Sequence, residues 1–230
     1  MPRLAWLFDV DGTLLTTEGA AREAFALAVR QRFGLEDSLT DIAFAGRTEP
    51  FILKDILAKH GIEFSEIDEA RFWDAVFDAM RAKFKPPRGR LLAGVEALLD
   101  RIGEERDWVS GLLTGNMTEM ARIKLERFGL HGRFAFGAFG EQADGRDALA
   151  RDVVGRVGRR YGVPPSRCIV VGDTVHDIAC ARAAGARVAA VATGTQSRAE
   201  LAARGPDLML DDLADHAPLI SWARTVATED

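Results

Sequence analysis

Asp9 and Asp11 stand two residues apart at the end of an apolar run, in Phe8-Asp9-Val10-Asp11-Gly12-Thr13-Leu14. If the strand continues through them, both carboxylates point to the same face. A protein tolerates like charges this close when a cation lies between them or when one carboxyl is protonated. Hard divalent ions such as magnesium favour a few carboxylates together with phosphate oxygens. A strand-end aspartate can also attack phosphorus directly, and its neighbour can then trade protons with the leaving oxygen. Gly12 permits a tight turn and Thr13 adds a hydroxyl, although Asp-Gly is also a common turn dipeptide.

Two further clusters suit the same chemistry. The run Val109 to Leu113 leads into Thr114, Gly115 and Asn116 and then a helical segment through Phe128. That order makes an anion site: a hydroxyl, an unobstructed glycine amide, and a helix start with free N–H groups and a positive dipole end. Thr114 and Asn116 would serve equally well as ordinary helix caps. The second cluster follows Val171 as Gly172-Asp173-Thr174, with His176 and Asp177 opening the next helix. Asp173 can join Asp9 on a metal, and Asp177 can ligate through water or orient a ligand. Asp177 also fits as a plain helix N-terminal acid, and His176 is expected to be exposed and uncommitted.

These residues must be brought together by the elements that carry them. Apolar runs at Leu4 to Phe8, Trp108 to Leu113, Arg167 to Val171 and Val188 to Val191 alternate with stretches of helical periodicity. The alternation predicts an α/β fold with a doubly wound parallel sheet, whose functional groups collect at the carboxyl ends of the strands. Between the first two strands, Glu18 to Phe33, Glu49 to His60 and Ser65 to Phe84 carry helix-spaced apolar residues and no strand signal. The expected organisation is a core of residues 1–15 and 88–230 with an inserted helical domain at 16–87. Lys85 to Gly89 forms a stiff boundary stretch, and Arg146 opens a helix through Tyr161.

Composition narrows the partners. The 230 residues are 47% hydrophobic and 28% charged, an ordinary globular balance, with a formal charge of -5. A net negative chain lacks the clustered positive charge on which nucleic-acid and anionic-membrane binding rests. No apolar run is long enough to span a bilayer, and Asp9 and Asp11 interrupt the first one, so a cytoplasmic location is expected. Cys168 and Cys180 lie in apolar or small-residue runs without metal-like spacing and are expected as buried core thiols.

Taken together, the motifs resemble the haloacid dehalogenase superfamily, in particular its phosphoglycolate phosphatase-like members with a helical cap inserted after the first strand. The similarity covers nearly the whole chain, through Asp9 to Leu14, Leu112 to Asn116, and Gly172 to Thr174 with Asp177. It implies a magnesium-dependent phosphatase acting on a small phosphorylated metabolite, with Asp9 as nucleophile and Asp11 as general acid and base. Asp9, the Asp11 carbonyl and Asp173 would hold the metal, with Asp177 beside them, while Thr114, Gly115 and Asn116 would grip the phosphoryl group. The family usually places a lysine between its second and fourth motifs, yet no lysine follows Lys124. Arg146 is the expected substitute, because arginine stays charged and can bind phosphate with two donors. Arg133, Arg151 and Lys124 are weaker candidates, Lys124 being expected as a salt-bridging helix residue.

Gly46-Arg47-Thr48, before the second cap helix, looks similar to the family's specificity segment, which implies that Arg47 and Thr48 contact substrate; Arg47 fits equally well as a surface arginine beside a helix cap. A dehalogenase would carry a non-acid where Asp11 stands, and a phosphonate hydrolase would need a cap lysine that Lys54 and Lys59 do not supply. A sugar-phosphate mutase shares every core residue, and a catalytically weak binding or regulatory module would retain the fold alone. The assembly expected is a monomer or homodimer.

Overall fold

Leu4–Phe8 forms β1, five consecutive apolar residues that are all fully buried. Such a run has no polar face to show to water, so it belongs in the middle of a sheet covered on both sides. Chain order continues with β2 (Leu15–Thr16), α1 (Ala20–Phe33), α2 (Glu49–His60), α3 (Glu69–Lys83), β3 (Arg90–Leu91) and α4 (Val95–Gly103). Next come β4 (Trp108–Leu113), α5 (Thr118–Glu126), β5 (Gly137–Ala138) and α6 (Arg146–Tyr161). The chain ends in β6 (Cys168–Gly172), α7 (Val175–Ala183), β7 (Arg187–Val191), α8 (Arg198–Ala202), β8 (Leu208–Leu210) and α9 (Ala217–Val226). This computed structural model describes residues 3–229.

Six strands form one sheet in the order β5-β4-β1-β6-β7-β8, and every pairing in it is parallel. β1 lies between β4 and β6, with Phe8 level with Leu112 on one side and Val171 on the other. The carboxyl ends of β1, β4 and β6 therefore meet at one rim where the winding of the sheet reverses, the position at which such sheets bind ligands. Alternate β1 residues serve opposite faces. Leu4, Trp6 and Phe8 pack with residues of α4 and α9, whereas Ala5 and Leu7 pack with residues of α6 and α7.

The doubly wound parallel sheet expected from the sequence is thus present. β5 and β8 add two edge strands that the sequence did not signal, being two and three residues long. A second departure lies at the borders of the helical segment, where no strand was expected. Leu15 pairs with Leu91 and Thr16 with Arg90 in a two-stranded antiparallel ribbon. These pairs are too short for an alternating pattern to register.

α1, α2 and α3 bury their apolar residues against one another in a cluster separate from the two sheet faces, built on Phe25, Leu53, Phe72, Trp73 and Met80. Phe25 meets Trp73 edge-on with ring centroids 5.7 Å apart, a favoured aromatic geometry. The cluster also takes in Met120 and Ile123 from α5, so the helical segment rests on the helix that follows β4. Arg88 ties the segment's two connections together by donating to the Glu18 carbonyl at 2.8 Å and to Glu23 Oε1 at 2.6 Å. Cys168 and Cys180 are both free and buried, and burial pushes both thiols up to about 12.

Candidate active site

β1 ends at Phe8, and the chain then turns through Gly12, whose φ of 81° lies in the left-handed region that favours glycine. Gly12 N–H donates to the Leu15 carbonyl at 2.8 Å, closing the turn. The strand does not continue through both acids, so the expectation that Asp9 and Asp11 share a face is not met. Asp9 joins Asp173 and Asp177, and one carboxylate oxygen from each lies within 4.8 Å of the others. Asp11 instead turns toward α5, where its Oδ2 accepts from Asn116 Nδ2 at 2.8 Å and from Lys124 Nζ at 2.7 Å.

Asp173 follows β6 and is held between three loops. Thr13 donates its hydroxyl to Asp173 Oδ1 at 3.0 Å. A Cβ on Gly12 would fall 2.4 Å from Asp173 Oδ2, and one on Gly194, after β7, would fall 1.7 Å from it. Only glycine leaves room there for a carboxylate. Thr193 donates to the Gly12 carbonyl at 2.5 Å and ties the two loops to each other.

Asp177 caps its own helix. Its Oδ2 accepts from the Thr174 N–H at 3.0 Å and hydroxyl at 2.7 Å, while Arg146 donates to its Oδ1. Both oxygens are therefore engaged, and Asp177 is placed to hold Arg146 rather than to bind a ligand freely. Gly172 accommodates this, because a Cβ there would meet Asp177 Cγ at 2.2 Å. Arg146 opens α6, is 8% exposed, and also lies 3.5 Å from Asp9 Oδ1.

Electrostatics explains why these groups belong together. Burial raises the Asp9 carboxyl to about 7, with the Asp177 and Asp11 charges adding to the rise and Arg146 opposing it. Burial likewise lifts Asp173 well above the carboxylate range, helped by Asp177 and Asp9. Three buried carboxylates face one guanidinium, so with all three ionised two negative charges would lack a partner, which is why Asp9 and Asp173 hold their protons so tightly. A hard divalent cation matches both that charge and the all-oxygen donors, and Asp9 and Asp173 are the residues with donor capacity to spare.

At the end of β4, Thr114 is fully buried and its Oγ1 accepts from Asn116 Nδ2 at 2.7 Å. The α5 start differs from expectation. Met117 N–H donates to Glu49 Oε2 at 2.8 Å and Thr118 N–H to Glu141 Oε1 at 3.0 Å, so carboxylates already occupy these amides. Both Nδ2 hydrogens of Asn116 are also spent, on Asp11 and Thr114, so the phosphate grip left at this corner is the Thr114 hydroxyl and the Gly115 backbone, and the expectation that the Asn116 side chain grips phosphate is not met.

Asp9, Asp11, Thr114, Gly115, Asn116, Arg146, Asp173 and Arg47 line one cavity of about 400 Å³ between the sheet rim and the helical segment. Arg47 reaches its edge but is paired with Asp55 at 2.6 Å. Thr48 lies outside the lining. It is 3% exposed and packs against the glycines of the sheet loops, with a Cβ on Gly140 falling 3.2 Å from Thr48 Cβ. His176 is exposed, as expected.

Two further residues line the cavity: Lys124, named above only as a weaker candidate, and Glu49, which carries no functional reading in the sequence. Lys124 is 2% exposed and also donates to Asn116 Oδ1, so it is part of the site and not an outward salt bridge. Its sequence signal is position, four residues after Met120 and four before Phe128 on the inward stripe of a helix. Glu49, at the start of α2, is 5% exposed. Burial raises its carboxyl to about 7, against the opposing pull of Lys124.

The profile of haloacid dehalogenase-like hydrolases matches residues 6–191, and the chain belongs to that family. It is 30% identical over 213 residues to a 5'-nucleotidase of Pseudomonas aeruginosa, covering 90% of this chain and 91% of that protein. It is 28% identical over 216 residues to the chloroplastic protein SUPPRESSOR OF QUENCHING 1 of Arabidopsis thaliana, spanning 92% of this chain but only 20% of that longer protein. The structure of CbbY from Rhodobacter sphaeroides in complex with phosphate superposes with a TM-score of 0.77 at 22% identity, covering 94% of this chain and 97% of that one. No helix among the described residues is long and apolar enough to cross a membrane.

Proposed function

We propose that the chain is a magnesium-dependent phosphatase that hydrolyses a small phosphomonoester through an aspartyl-phosphate on Asp9. The observation that carries this reading is the buried trio of Asp9, Asp173 and Asp177 around Arg146, facing a closed-in cavity beside Thr114 and Asn116. Family membership and the 5'-nucleotidase relative support it.

Magnesium, when bound, neutralises phosphate charge and keeps the Asp9 carboxyl ionised. Asp9 and Asp173 would hold it, joined by the Asp11 carbonyl. Asp9 attacks phosphorus, the bond from phosphorus to the ester oxygen breaks, and Asp11 gives its proton to the departing alcohol. Asp11 then takes a proton from water, whose oxygen attacks phosphorus and frees Asp9 and inorganic phosphate. Arg146 and Thr114 stabilise the charge spread over the phosphoryl oxygens in a loose transition state, while Asn116 holds Asp11 and Thr114 in place beside them. Arg146 takes the place of the family's usual lysine beside the nucleophile. The helical segment at 16–87 acts as a cap that keeps bulk water from the phosphorylated aspartate, and Arg47 at its edge meets the organic part of the substrate.

The substrate fits a phosphoglycolate-like metabolite or another phosphomonoester of similar size, and the enzyme works in the cytoplasm as a monomer or homodimer. The test is phosphate release from a panel of small phosphomonoesters with and without magnesium. Turnover that needs magnesium, disappears in Asp9→Asn and weakens in Arg146→Ala supports the reading. A folded chain that releases phosphate from no compound overturns it.

A further inference from the structure

The geometry points to Lys124 as the residue that positions Asp11 for proton transfer to the leaving group. This inference rests on the phosphatase reading above. Lys124 projects from α5, its side chain is 2% exposed, and it lines the same cavity as Asp9. Its ammonium donates to Asp11 Oδ2 at 2.7 Å and to Asn116 Oδ1, while Asn116 Nδ2 donates to the same Asp11 oxygen at 2.8 Å and to Thr114 Oγ1 at 2.7 Å. Asp11 Oδ2 thus receives two donors from a network anchored at the end of β4.

The two oxygens of Asp11 are thereby made unequal. With Oδ2 held by Lys124 and Asn116, Oδ1 is the oxygen left for the cavity, and the proton exchanged with the ester or water travels on it. The Asp11 side chain is 41% exposed. A carboxylate that open would sample several rotamers, and the fixed donor pair selects one. Lys124 is itself buried and loses little further freedom in making these bonds. An ammonium has three hydrogens, so one remains beyond those given to Asp11 and Asn116.

An acid that protonates the leaving group matters in proportion to how badly that group needs a proton. A positioning role for Lys124 therefore predicts a loss that depends on the ester, which a purely structural role does not. Kcat and KM would be measured for glycerol phosphate, whose alkoxide is a poor leaving group, and for p-nitrophenyl phosphate, whose phenolate leaves unaided. In Lys124→Met, kcat on glycerol phosphate should fall on the order of 10²-fold, the usual size of a proton-transfer contribution, with KM little changed. The fall on p-nitrophenyl phosphate should be about tenfold smaller. Lys124→Arg, which keeps the charge, should recover part of the loss and serves as the folded reference should the methionine variant fail. In an Asp11→Asn background, Lys124→Met should cost nothing further on glycerol phosphate.

Equal losses on both esters, no loss on either, or full additivity with Asp11→Asn would overturn the role of Lys124 while leaving the phosphatase reading intact. Where the natural chain turns over another alkyl phosphate of the panel faster, that ester replaces glycerol phosphate; a natural chain that releases phosphate from no ester of the panel would overturn that reading and the inference with it.

Discussion

Met117 N–H donates to Glu49 Oε2 at 2.8 Å while Glu49 N–H donates to the Gly115 carbonyl at 2.8 Å, so one residue of α2 clasps the loop after β4 in both directions. The clasp fixes the helical segment against the phosphate-binding corner of the sheet. It also buries a carboxylate beside Lys124 and Asp11, whose charges act on it in opposite senses.

The Glu49 carboxyl is raised from 4.5 to about 7, so it holds its proton in the folded chain over a range where the unfolded chain has lost it. The stability this confers is full below pH 4.5 and is lost as pH rises to about 7. Glu49→Gln keeps an acceptor for Met117 and removes the titration. Denaturant melts of both chains at pH 5 and pH 7.5 should show the natural chain losing on the order of 2 kcal/mol relative to the variant. Parallel pH curves would rule the effect out.

Magnesium should stabilise the folded chain by relieving repulsion between Asp9 and Asp173. At a hundredfold excess over its dissociation constant the gain is about 2.7 kcal/mol, or a rise in Tm of about 5–10 °C. Asp173→Asn should raise the Tm of the metal-free chain at pH 8 and abolish the magnesium response. Differential scanning calorimetry with magnesium and with a chelator reads both, and an undiminished response in the variant would place the ion elsewhere.

Gly140→Ala tests the fit between the helical segment and the sheet rim. The new Cβ would lie 2.2 Å from the Gly115 carbonyl oxygen and 3.2 Å from Thr48 Cβ, and Gly140 N–H donates to the Asn116 carbonyl at 2.7 Å. Relief of the clash must move the loop that carries Asn116. Overpacking of this kind costs about 1–3 kcal/mol, visible in urea melts, and phosphate release should drop about tenfold. Unchanged turnover would show that this loop tolerates displacement.

Arg146→Ala leaves Asp177 and Asp9 buried without their cation, and the loss of one partner from such a pair costs about 3–5 kcal/mol. Turnover should fall by about 10²–10³-fold, as when a charge-stabilising donor is removed. Arg146→Lys should restore more stability than activity, since an ammonium cannot present two parallel donors. Equal recovery of both would assign Arg146 a structural part alone.

The sequence by itself determined the sheet and the acids at its rim. A strand buried on both faces is written as an unbroken apolar run, so Leu4–Phe8 was bounded in advance; Trp108–Leu113, interrupted by Ser110 and Gly111 and buried only in its second half, was bounded by its apolar ends, and the polar residues that follow both strands had to lie at one edge. The helices Glu49–His60 and Arg146–Tyr161 followed from periodicity in the same way. Tertiary structure decided the rest. β5 and β8 exist because β4 and β7 offer them an edge, not because two or three residues carry a pattern. Asp11 parted from Asp9 because the strand stops at Phe8, which local spacing did not reveal. Glu49 looks in sequence like a solvated helix charge and Lys124 like a salt-bridging one despite its place on the inward stripe of α5, and they became buried site residues only when the helical segment closed over α5. A charged side chain is legible as functional where its neighbours in the chain explain it; where its partners lie on other elements, only packing brings them within reach.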